Sequence, residues 1–190
     1  MQLVRANPVI EAVLTRYESD LGAESVMYRN HVYRGFNLHL SLSGLRESDA
    51  LALAWVSHDL GLWTARTLDY LGPSVRLAEE LAPEFKIETT PQLRLMIEYH
   101  HCLRPLQDPL AEGFRKADRA DAWPRRWGSF VAPVQYDELT EAFPYCGFHQ
   151  FLGRTAVRYA LTHPWRPLPM FRWRGPDSAG SGFPAEPAQR

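Results

Sequence analysis

Four side chains in three short motifs are of the types that hold a divalent cation. They are His31 in Tyr28-Arg-Asn-His31-Val, the adjacent His58-Asp59 in Trp55-Val-Ser-His58-Asp59-Leu-Gly61, and Asp118 in Arg115-Lys-Ala-Asp118-Arg-Ala-Asp121. Leu51, Ala54, Trp55 and His58 recur at helical spacing, so His58 continues an apolar, inward face. A buried imidazole and carboxylate need partners, which a cation or an ordinary hydrogen-bond network supplies. Two imidazoles and two carboxylates suit Mn, Fe, Co, Ni, Zn or Mg. Asp121 lies one turn beyond Asp118 and is the alternative ligand; Asp118 is preferred because it continues the Leu110, Phe114 stripe. His100-His101 is a second signal, closing the face of Leu93, Met96 and Ile97. The pair either lines the pocket and holds a substrate oxygen or is a packing feature.

Basic side chains near these motifs could bind phosphate oxygens, for which the Arg fork is well shaped. Arg66 follows the His-Asp pair, and Lys116 and Arg119 flank Asp118, which makes these three the substrate-binding candidates among Arg34, Arg66, Arg76, Arg115, Lys116 and Arg119. The commoner fate of such charges is a solvated helix face. Trp63, Tyr70 and Trp123 are candidates to stack on a base or to close an apolar pocket.

The elements that must position these groups read as helices throughout. Asn7-Pro8 opens a helix to about Asp20, ended by Gly22. A second runs from about Ser25 to Ser43 with Met27, His31 and Leu38 inward, and Gly44 stops it. Ser48 caps a third that reaches Gly61; Gly72-Pro73-Ser74 starts a fourth, closed by Pro83. Thr90-Pro91 starts a fifth and Asp108-Pro109 a sixth. Shorter signals follow near Asp137 to Phe143 and Phe148 to Thr162. No repeat and no alternating strand pattern is found, so the class is all-α: one domain over residues 1–163, with a core over 25–122. Residues 164–190, rich in Pro, Gly, Arg and Ser, are expected to form an extended or disordered tail.

A chain of 190 residues buries about 70% of its unfolded surface without staples. A net charge of −1 disfavours nucleic acid as a partner. The longest apolar run, Ala50 to Val56, is far too short to cross a bilayer, and no signal peptide precedes it. Cys102 and Cys146 show no disulfide or metal spacing, so a reducing, cytoplasmic location is expected.

The order His31, then His58-Asp59 after an apolar helix with Gly61 two residues on, then Ala117-Asp118, resembles the HD-domain superfamily of metal-dependent phosphohydrolases. The resemblance covers roughly residues 25 to 122. It implies a helical bundle of about six core helices, with His31, His58, Asp59 and Asp118 around one divalent metal ion and Asp59 taking part in catalysis. It also implies hydrolysis of a small phosphorylated or nucleotide-like substrate by an activated water. Some HD proteins carry a His or His pair on the helix before the last aspartate, where it binds a second metal or substrate; here that is His100-His101. Two-metal relatives usually have a further His between the His-Asp pair and that helix, and this chain has none between Asp59 and His100. One ion is therefore expected, with the pair donating hydrogen bonds to substrate. The acid that many HD nucleotidases carry just after His-Asp is replaced by Leu60, Gly61, Leu62 and Trp63, which leaves Asp69 as its stand-in unless it is only a turn residue. The Lys and the Gly-Tyr-Pro segment of HD cyclic-di-nucleotide phosphodiesterases are absent. HD relatives also include a hydratase of small nitriles and iron oxygenases, so a small neutral substrate is the alternative. A non-catalytic binding protein with a closed metal site is a third reading.

Overall fold

The computed structural model describes residues 3–123 and 133–176, and every regular element among them is helical. No helix among them is long and apolar enough to cross a membrane. Asn7 caps α1 (Pro8–Arg16) by accepting from the Val9 and Ile10 amides, with Pro8 at the first turn. The helix expected to reach Asp20 is instead interrupted at Tyr17, and a single turn, α2 (Glu18–Leu21), carries the chain to Gly22.

The central element is α3 (Ser25–Ser43), which packs along α8 (Pro109–Ala122) and across α4 (Asp49–Ser57). Every residue from Asn30 to Leu40 is buried, polar ones included. Asn37 clamps the N-terminal segment, accepting from the Val4 amide at 2.8 Å and donating to the Val4 carbonyl at 3.0 Å. Asn30 donates to the Pro144 carbonyl at 2.7 Å. Burial all round is affordable only because these groups are paired. Gly35 lets α4 approach: a Cβ there would overlap the Trp55 ring.

His39, also on α3, takes a hydrogen bond from the Trp55 indole N–H on its Nδ1 at 3.3 Å. Burial pushes its imidazole from 6.5 down to about 4, so the folded protein holds it neutral where the unfolded chain binds a proton. Between about pH 6.5 and pH 4 the unfolded state therefore binds more protons, and stability falls as pH falls, by roughly 2–3 kcal/mol in all. Denaturant melts across this window should show the acid limb flattened in His39→Leu. An unchanged limb would assign it to other groups.

Ser48 caps α4, and the chain leaves that helix at His58 through a tight turn into α5 (Gly61–Thr64). Gly61 is required there: a Cβ would lie 2.6 Å from the Tyr70 carbonyl oxygen. Its N–H donates to Ser74 Oγ at 3.0 Å, which ties the turn to α6 (Leu71–Leu81). Pro83 does not end that helix abruptly but sits in a 3₁₀ turn, Ala82–Phe85. Thr90 caps α7 (Pro91–Tyr99), and Asp108 caps α8. The remaining helices are α9 (Pro133–Ala142) and α10 (Phe148–Thr162).

Residues 164–176 run without helix and return to the body of the protein. Arg172 forms an isolated bridge with Cys102, accepting from the Leu103 amide at 2.8 Å. Met170 packs beside Leu68, Tyr70 and Leu71. The rest of the expected tail lies outside the described residues.

Candidate metal centre

His31 comes from the middle of α3, His58 and Asp59 from the turn that ends α4, and Asp118 from α8. These three elements bring all four side chains to one point. His31 Nε2 and His58 Nε2 lie 3.1 Å apart. Asp59 Oδ2 is 3.5 Å from the first and 3.4 Å from the second; Asp118 Oδ1 is 3.7 and 3.6 Å from them. Donor atoms bonded to one ion at ~2.1 Å lie about 3.0 to 4.2 Å apart, so these five spacings are compatible with one cation among the four atoms.

The hydrogen bonds behind the ligands select the metal-ready tautomers. His58 donates from Nδ1 to the Trp55 carbonyl at 2.7 Å, and His31 donates from Nδ1 to Asp121 Oδ2 at 2.7 Å. With both Nδ1 protons so used, the neutral rings direct two Nε2 lone pairs at one another across 3.1 Å. Only a proton or a metal ion between them relieves that contact. In the metal-free protein a proton does so. Burial disfavours charge on His31, but Asp121 and Asp59 outweigh it and raise its imidazole to about 9.

Asp121, the alternative candidate, turns its carboxylate to His31 Nδ1 and to Arg34. Arg34 holds it in turn, donating from Nε to Oδ1 at 2.5 Å and from Nη2 to Oδ2 at 2.9 Å. Both are wholly buried, and Arg34 also donates to the Phe143 carbonyl at 3.0 Å. Arg34, weighed as a phosphate binder, is therefore committed to this relay. Carboxylate behind imidazole is a common outer-shell arrangement at metal sites.

His100 and His101 meet the other side of the same carboxylates. His100 Nε2 is 3.3 Å from Asp59 Oδ1, and His101 Nδ1 is 3.7 Å from Asp118 Oδ2. Each aspartate therefore turns one oxygen to His31 and His58 and the other to the His100-His101 pair. His100 donates from Nδ1 to the Ile97 carbonyl at 2.7 Å; burial disfavours charge on its imidazole, but Asp59 opposite Nε2 and Asp118 outweigh it and raise it above its usual value. Asp59 Oδ1 and His100 Nε2 are both buried, and each faces the other at 3.3 Å. His100 is 1% exposed. His101 differs: its side chain is 19% exposed, and Tyr70 hydroxyl pairs with its Nε2 at 2.7 Å. Burial and the neighbouring His100 push its imidazole down to about 3.

The carboxylates are in their ligand form. Burial pushes Asp59 up, but His58, His100 and His31 hold it well below the usual range. Burial likewise opposes ionisation of Asp118, which His58 and the His pair bring down to about 2.

The other expected site residues lie elsewhere or are engaged. Asp69 is exposed and pairs with Arg166 at 3.2 Å, away from the imidazoles it was to assist. Arg66 sits on the exposed loop after α5 with φ +53°. Lys116 is 43% exposed and lies 3.7 Å from Glu112, which also binds Arg115. Arg119, half-buried beside Asp118, donates from Nη2 to the Cys102 carbonyl at 3.2 Å. Tyr70 and Trp63 are near the cluster, Tyr70 through His101 and Trp63 with its ring 4.7 Å from that of Tyr28; Trp123 is exposed.

Tyr70 as the partner of His101, and Arg34 as the holder of Asp121, are roles that spacing alone did not assign. A signal was present: His31 and Arg34 are three residues apart, as are Asp118 and Asp121, which puts each pair on one helix face. Comparison with protein-family models, curated proteins and solved structures finds no match for this chain.

Proposed function

We propose that this chain is a metal-dependent hydrolase of HD type acting on a small phosphorylated or nucleotide-like substrate. The observation that carries this reading is the pair of imidazole Nε2 atoms 3.1 Å apart, flanked by two carboxylates held ionised despite their burial. A divalent ion at that point would lower the pKa of a water and polarise the phosphoryl oxygen. His31, His58, Asp59 and Asp118 would hold it. Asp59 Oδ1, Asp118 Oδ2, His100 and His101 would form a second cation position, with Asp59 and Asp118 shared between the two. The intermediate His expected of two-metal relatives is then replaced by the outer oxygen of Asp118. In the reaction the water oxygen bonds to phosphorus, the ester P–O bond breaks, and the alcohol leaves with one of the water's protons. Arg119 is the basic side chain best placed beside Asp118 to neutralise a phosphate, after exchanging the Cys102 carbonyl for it.

A second reading, water addition to a small neutral compound such as a nitrile, is favoured by the shortage of free charge. Arg34 is committed to Asp121 and Arg115 to Glu112, and no acid follows the His-Asp pair. Protein loaded in turn with Mn, Fe, Co, Ni, Zn and Mg, then assayed with phosphomonoesters, phosphodiesters, nucleotides and small nitriles, separates the two. Metal-dependent release of phosphate or alcohol is the expected result. Turnover of a nitrile alone would select the second reading, and full metal loading without any turnover would select a structural site.

The second cation position makes its own prediction. In His100→Ala the bound metal should fall from two equivalents to one, with turnover lowered at least about tenfold. Plasma mass spectrometry on the wild type and the variant checks it. One equivalent in both proteins would remove the second position.

A further inference from the structure

We infer that Phe171 is a specificity-determining residue, and that the substrate carries an apolar, preferably planar aromatic group next to its reacting centre. The inference rests on the proposed metal centre and goes on to what binds beside it. Among the six side chains that converge there, His31, His58 and His100 are at most 1% exposed, Asp118 3% and Asp59 8%, whereas His101 is 19% exposed. A molecule reaching the centre from solvent therefore meets it at His101. The ring facing His101 at that point is Phe171, with centroids 5.5 Å apart and the Phe side chain 37% exposed.

The backbone fixes Phe171 in this place. The next residue, Arg172, bridges Cys102, the residue after His101. On its other side Met170 packs against the cluster of Leu68, Tyr70 and Leu71, and the Tyr70 hydroxyl pairs with His101. Two cations of the same segment are turned elsewhere: Arg172 pairs with Glu98 at 3.1 Å and lies over the Tyr99 ring, and Arg166 pairs with Asp69. At Phe171 the segment thus offers an incoming molecule an aromatic face. A half-exposed aromatic ring beside a centre of polar groups is the arrangement by which small-molecule sites orient an apolar body against a reacting polar head.

Two hydroxamates test this without requiring turnover, because both chelate a divalent metal through the same head. Acetohydroxamate has a methyl group where benzohydroxamate has a phenyl. Binding of each to the metal-loaded full chain is measured by calorimetry for the wild type, Phe171→Ala and Phe171→Leu. The wild type should prefer benzohydroxamate about tenfold. Phe171→Ala should bring the two within about twofold by weakening benzohydroxamate alone, and Phe171→Leu should fall between. Metal content and acetohydroxamate affinity should stay unchanged in both variants. Equal binding of the two probes by the wild type, or a preference undiminished in Phe171→Ala, would overturn the role of Phe171 and leave the metal centre standing. A metal-loaded wild type that binds neither probe would mean a closed coordination shell, and would overturn the hydrolase reading and this inference together.

Discussion

Asp59→Ala loses bound metal and turnover together, with activity lower by about 10³-fold or more, the scale of effect when groups that stabilise developing charge are removed. The reason is geometric. Asp59 offers Oδ2 to the His31 and His58 nitrogens and Oδ1 to His100, so a single substitution takes a donor from both cation positions. Binding to the folded state alone stabilises by about 4 kcal/mol when the ion is at a thousand times its dissociation constant. Added metal should therefore raise the melting temperature of the wild type and leave the variant unmoved. Crowding of Asp59 against Asp118 would, from sequence alone, predict a metal-free variant more stable than the metal-free wild type. The structure argues the reverse, because imidazoles surround the carboxylates and hold Asp59 ionised despite its burial. The metal-free variant is expected to melt no higher than the metal-free wild type. Calorimetry with and without metal, alongside plasma mass spectrometry, reads all of these outcomes. Full metal content in Asp59→Ala would remove the site as described.

The second large effect belongs to Asp121, which does not touch the ion. Asp121→Ala leaves the Arg34 guanidinium wholly buried with only backbone carbonyls as partners, and breaking a buried pair in this way costs about 3–5 kcal/mol. It also frees His31 to rotate or change tautomer. Asp121→Asn keeps the shape and an acceptor oxygen, so its stability loss should be smaller. It removes the negative charge behind His31 all the same, and metal affinity should fall about 10- to 100-fold. Chemical denaturation gives the first quantity and a competitive chelator titration the second. Unchanged metal affinity in Asp121→Asn would reduce Asp121 to a partner of Arg34 only.

Much of this arrangement is legible in the chain itself. The caps at Asn7, Ser48, Thr90 and Asp108 each mark a helix start, because a side-chain acceptor before a first turn has one common use. His31, His58, Asp59 and Asp118 fall on inward positions, and the three elements that carry them converge. The central place of α3 is less legible. Its buried face holds Asn30, His31, Arg34, Asn37 and His39, and a periodicity search counts these as polar. Apart from the Tyr33 carbonyl that Asn37 also reaches, their partners are 16 to 116 residues away in sequence, so only the folded chain supplies them. The same distance hides the ordering of Arg34, Asp121 and His31, and the return of Arg172 to Cys102. Asp69 misleads for the opposite reason. Nearness in sequence to His58-Asp59 suggests a shared site, whereas the turn at Gly61 and the pairing with Arg166 direct its carboxylate to the surface.

One cation is proposed to sit between the His31 and His58 imidazoles, held by Asp59 and Asp118. Crystals of the protein loaded with its preferred metal, measured at the absorption edge of that element, test this directly through the anomalous difference map. The account predicts a peak within about 2.0–2.3 Å of His31 Nε2, His58 Nε2 and oxygens of Asp59 and Asp118. A map with no peak there, from protein whose solution metal content is also nil, would contradict it.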